Sequence, residues 1–178
     1  MEQRDIKPII DAVTKDKNRR GELASLRFYA EVFDGKTVSA PLGSPPTTLG
    51  AWSDNDALMR SETQIGSCAT LLTGEKLQKA SALSKEFGDA LPVVLRAFTL
   101  ASEGKKDDAA TLFTSTLEGS AAPAECPGEH PMYSYRRVSR MTALLGCVKA
   151  IAPSRDVKKL EKLRDHAQSC ASNNHAVG

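Results

Sequence analysis

SEGKKDDAATLFTSTLEG, residues 102–119, holds the end of one helix and the start of the next. Upstream of it, Leu91, Val94, Leu95, Phe98 and Ala101 recur at helical spacing, and Gly104 interrupts the stripe. Downstream, Ala109, Leu112, Phe113, Thr116 and Leu117 form a second stripe. Asp107 and Asp108 fall in its first turn, where the helix dipole favours negative charge. Gly104 permits the left-handed backbone that a reversal needs. A link of about three residues leaves two helices no choice but to lie antiparallel with their apolar faces together.

The same pattern extends outward. Ile6, Ile9, Ile10 and Val13 mark one helix, and Leu23, Leu26, Ala30 and Phe33 a second, closed at Gly35. KTVSAPLGSPPTTLGAW follows, with three prolines and two glycines, and predicts a long extended connection over residues 35–52. Val38, Leu42, Leu49 and Trp52 are its candidate anchors onto the helices. Ser53 reads as an N-cap, with Asp54 and Asp56 after it. Leu58, Ile65, Ala69 and Leu72 predict a helix ended by Gly74. Leu77, Ala80, Leu83 and Phe87 predict the next one, ended by Gly88, and Asp89 is placed to cap its successor. After a loop over residues 119–133, Val138, Met141, Thr142, Leu145 and Val148 mark a helix, as do Val157, Leu160, Leu163, Ala167 and Cys170. Residues 172–178 form a flexible tail. No strand stands out. The expected architecture is all-α, one domain over residues 1–178. It is either an array of helical hairpins or an irregular bundle of about eight helices.

Composition agrees with packed helices. Aromatic residues are only 5% of the chain, fewer than a β-sandwich wants. No apolar run approaches the roughly 20 residues of a membrane span. The start, MEQRDIKPII, shows no basic segment leading into an apolar one. Cytoplasmic is therefore the default location, and a periplasmic or secreted protein with disulfides is the alternative if the chain is trimmed. The net charge of +2 is unevenly spread. Residues 36–131 hold eight Lys/Arg against twelve Asp/Glu, and residues 132–178 hold nine against three. The C-terminal quarter is basic and the middle acidic.

Gly104, Ala109 and Phe113 sit at the intervals found in the second half of a tetratricopeptide repeat, and residues 90–121 resemble one such repeat. Ala97 takes a small position and Leu100 an aromatic one, whereas Thr116 replaces the usual late Ala and Val93 the signature Trp. The resemblance implies stacked hairpins whose concave face grips a peptide or a partner protein. Gly74 and Gly104 lie 30 residues apart, close to the 34-residue period of that family.

Four cysteines are present. Cys68 and Cys147 lie among apolar neighbours and are expected as free core thiols. Cys126 lies in the Pro/Gly loop, which makes it a disulfide candidate with Cys170 as first partner. Cys126, His130, His166 and Cys170 also compose a Cys2His2 set of the kind zinc takes, though neither half has a common zinc-site spacing, and no metal is expected. No phosphate-binding glycine loop, HExxH, GxSxG or dinucleotide fingerprint is present, so no cofactor and no catalytic residues are assigned.

The expected function is therefore non-enzymatic binding of a protein or peptide. Tyr133, Tyr135, Arg136, Arg137 and Arg140 form the candidate contact patch, because Arg and Tyr give planar hydrogen bonds and contact area at low entropic cost. Two rivals stand beside it. One is binding of nucleic acid or an acidic partner through the basic C-terminal helices. The other is an enzyme without a recognisable motif.

Overall fold

The computed structural model describes residues 1–45, 50–126 and 130–175. Their order is β1 (Glu2–Asp5), α1 (Ile6–Thr14), α2 (Arg20–Val32), β2 (Thr37–Ala40), α3 (Gly50–Ile65), α4 (Gly74–Phe87), α5 (Val93–Ser102), α6 (Lys106–Gly119), α7 (Pro131–Ile151) and α8 (Lys158–His175). Short 3-10 turns at Lys17–Arg19 and Gly88–Ala90 lead into α2 and toward α5. The described residues are all-α apart from one small two-stranded sheet. None of their helices is long and apolar enough to cross a membrane.

The hairpin of residues 102–119 forms as its sequence dictates. α5 and α6 are joined by three residues, Gly104 takes φ +83°, and the two helices pack on each other. Val94, Leu95, Phe98 and Ala101 are buried from one side, and Ala109, Phe113 and Leu117 from the other. The small Ala109 allows close approach, and Phe113 fills the space beside it with no exposed surface. The principal packings between helices join neighbours in the chain or next-but-one neighbours, such as α2 with α4, α3 with α5 and α6 with α8. A main core runs from Phe28 and Leu83 through Phe98 and Phe113 to Met141 and Leu160. A smaller one gathers Ile6, Ile9, Val13, Leu26, Val38 and Ala57.

Several expectations are corrected. The connection over residues 35–52 is not all loop. β2 pairs antiparallel with β1, Arg4 opposite Val38, and the backbone N–H of Ser39 donates to Asp56 Oδ2 at 2.8 Å. Val38 is buried, but Leu42 and Trp52 are 75% and 58% exposed and anchor nothing, while Leu49 lies outside the described residues. α3 starts at Gly50, so Ser53 is a buried interior residue and not a cap. α3 also stops early, at Ile65, and residues 66–73 cross over as a turn. Gly74 therefore opens α4; it does not close α3, and the two glycines 30 residues apart hold different places in their helices. Asp89 caps nothing: it pairs with Arg96 at 2.7 Å, and Pro92 precedes α5. The loop before α7 ends at Pro131, and its residues 127–129 lie outside the described ones. The tail is shorter than expected, since α8 continues to His175 and only residues 176–178 lie outside the description.

Candidate binding cleft between α3 and α7

α7 begins at a built N-terminus. Pro131 occupies the first turn, where its missing N–H costs nothing, and His130 accepts from the Met132 N–H at 3.3 Å. This start fixes which side chains face outward. Met132, Tyr133 and Tyr135 are half exposed or more, and the His130 ring stands edge-on to Tyr133 at 6.2 Å. One turn further in, Arg136, Arg137 and Arg140 lie along a cleft of about 770 Å3 that separates α7 from α3. Leu58, Met59, Val94, Ala143 and Leu144 supply apolar lining, and Asn55, Tyr133 and Ser120 supply polar lining. Of the five expected contact residues, the structure brings Tyr133, Arg136, Arg137 and Arg140 to this cleft; Tyr135, half exposed, is not part of its lining.

Glu62 faces the arginines. Its Oε1 pairs with an Arg140 terminal nitrogen at 2.8 Å, while Arg140 Nε is buried and makes no hydrogen bond among the described residues. Burial pushes the Glu62 carboxyl up from its ordinary value, and the Arg140 charge opposes that rise. A buried guanidinium N–H without an acceptor is a point where an incoming oxygen gains more than it would at the surface. Glu62, Leu58 and Met59 were not anticipated as cleft residues. The available signal was Glu62 itself, a carboxylate four residues after Leu58 and three before Ile65, hence on the apolar stripe of α3.

The cysteines form two disulfides. Cys126 is bonded to Cys170, as the loop cysteine leads one to expect. Cys68 and Cys147 are not free thiols: they too are bonded to each other, and tie the turn after α3 to α7 just below the cleft. The thiol expectation rested on apolar neighbours, and a buried disulfide has the same neighbours as a buried thiol. The zinc set does not assemble as four. His166 lies with Cys126 and Cys170, all ligand atoms within 4.8 Å, but both sulfurs are engaged in the disulfide and His130 caps α7 instead.

The basic character of the C-terminal helices is partly neutralised. Lys159 pairs with Glu118, Lys149 with Glu161 and Arg164 with Asp165, each at 2.7 Å. No protein-family model matches the chain, and no curated protein or solved structure does either.

Proposed function

We propose that this protein is a binding module that takes an acidic segment of a partner protein into the cleft between α3 and α7. The observation that carries this is the pairing of an apolar floor with a rim of three arginines and a tyrosine on one helix. Such a cleft offers the side chains of an acidic, partly apolar peptide both a place to bury and oxygen-seeking donors. Among the described residues the lining contains a single carboxylate, Glu62, already committed to Arg140, which supports binding over acid–base chemistry. The packing of each helix on its neighbours in the chain is also how stacked hairpins of the tetratricopeptide kind are organised, with partners held on one face. The two disulfides fit an oxidising compartment.

Binding of nucleic acid is the weaker alternative, because the ion pairs along α8 interrupt the row of cations that phosphates would need. A fluorescein-labelled peptide of alternating Glu and Leu, titrated by fluorescence anisotropy, tests the proposal. Its affinity falls about tenfold or more in Arg136→Glu/Arg137→Glu and falls with added salt. Equal binding of a Lys/Leu peptide, or an unchanged affinity in the double variant, overturns it. Tighter binding to a single-stranded DNA oligonucleotide, lost steeply with salt, would transfer the assignment to nucleic acid.

A further inference from the structure

The two disulfides stand in opposite environments. Cys68 and Cys147 are 4% and 0% exposed, so no external reagent reaches either sulfur without opening the core. The second bond is asymmetric: Cys126 is exposed in the loop, whereas Cys170 is 3% exposed on α8. Beside the buried sulfur stands His166, one turn earlier on the same helix. Its Nε2 is 2.9 Å from the Pro123 carbonyl oxygen, and since a carbonyl only accepts, Nε2 carries the hydrogen. That same nitrogen lies 3.7 Å from Cys170 Sγ.

We propose that Cys126–Cys170 is a thiol–disulfide exchange site, with Cys126 as the attacked sulfur, Cys170 as the leaving group and His166 as the residue that positions a donor on it. The co-reactant is an external thiol, either a small one or a cysteine of another protein. Its thiolate attacks Cys126 Sγ. A new S–S bond forms there as the Cys126–Cys170 bond breaks, and the electron pair leaves on Cys170 Sγ. His166 Nε2–H, donated to the Pro123 carbonyl oxygen while the disulfide is closed, turns to that thiolate, which then takes a proton from water. A second thiol attacks the mixed disulfide, releasing Cys126 as a thiolate. Two thiols are thereby oxidised to one disulfide and the protein gains two electrons and two protons. Attack is steered to Cys126 by access. Departure is steered to Cys170 because a thiolate with a hydrogen-bond donor beside it leaves faster. The buried Cys68–Cys147 bond takes no part and holds the fold while the other opens. None of this depends on peptide binding in the cleft.

Reduced glutathione added to the full native chain, followed by trapping with N-ethylmaleimide and peptide mass mapping, tests the proposal. The expected products carry glutathione on Cys126 and maleimide on Cys170, with Cys68–Cys147 intact. His166→Leu slows opening about tenfold, and His166→Gln, which keeps a side-chain N–H, restores most of the rate. Melting temperatures of both variants separate this from a loosened loop: a rate loss with an unchanged melting temperature supports the positioning role. Glutathione on Cys170, simultaneous opening of both disulfides, or a His166→Leu rate equal to wild type overturns the proposal. Should His166→Leu fail to fold, the site of glutathione attachment in the wild-type chain still decides it.

Discussion

Cys147 on α7 is bonded to Cys68 across 79 residues of chain, at the turn that carries the protein from α3 toward α4. Cys68 itself sits at φ +58°, a conformation a non-glycine residue adopts at a cost. The bond thus fixes the base of the proposed cleft, since Ile65 and Gly66 line it and lie next to this turn. Closing so long a loop removes much freedom from the unfolded chain. Replacing both cysteines by alanine is expected to lower unfolding free energy by about 4 kcal/mol, read from urea denaturation at equilibrium. A loss below about 1 kcal/mol would show that the turn is held by packing alone.

The approach of that turn to α7 depends on Gly146. A Cβ built there would stand 2.7 Å from Ser67 Cβ, closer than carbon atoms tolerate, and 3.3 Å from Ser67 Cα, a tight contact. Gly146→Ala is therefore expected to destabilise by about 1–3 kcal/mol even though alanine is the better helix former. Ser67→Gly removes one of the colliding atoms and should recover part of the loss. An additive double variant, measured by the same denaturation, would show that the clash is not what Gly146 avoids.

Gly104 shows the contrasting case. Nothing lies within 4 Å of a Cβ placed on it, but its φ is +83°. Gly104→Ala then tests backbone conformation alone, with an expected loss of about 1 kcal/mol. Gly104→Asn should cost less, because asparagine tolerates left-handed backbone better. Equal losses for both would point to a different reason for glycine at this turn.

Where the chain's instructions are local, the fold was legible. The hairpin at Gly104 needs only a glycine, two acidic residues and two stripes, all within 30 residues of sequence. The sheet was not, because EQRD carries no alternating pattern and becomes a strand only by pairing with Thr37–Ala40, more than 30 residues on. α3 was misplaced at both ends for related reasons. Prolines before Gly50 masked its start, and Leu72 is buried like a helical residue while lying in the crossing turn. For the cleft, the arginine and tyrosine side was visible as a cluster on one helix. The α3 side was not, since only folding reveals that Glu62 meets Arg140 across a sequence separation of 78. Helix periodicity says which face is buried and does not say against what.

Asp54 provides a pH-dependent test of how α3 packs on α2. It is half buried, its Oδ1 lacks a hydrogen-bond partner among the described residues, and burial pushes its carboxyl up to about 6. Ser25 pulls the other way by hydrogen bonding, Glu22 adds to the rise by repulsion, and Arg19 opposes it. Because the folded value lies above the ordinary 3.8, the neutral acid is the form the fold prefers. Its contribution to stability is complete below the unfolded value and is lost as pH climbs through about 6. Asp54→Asn, which cannot ionise, should be more stable than wild type by about 1 kcal/mol at about pH 7, a figure reduced for solvent screening of a partly exposed group, and nearly equal to it at about pH 4. Urea denaturation of both chains across that window reads the difference directly, and cancels the contribution of Glu62, which titrates upward in each. A difference that is flat with pH, or larger at the acid end, would mean that Asp54 keeps its charge within the fold and that the α2–α3 seam is wetter than its packing implies.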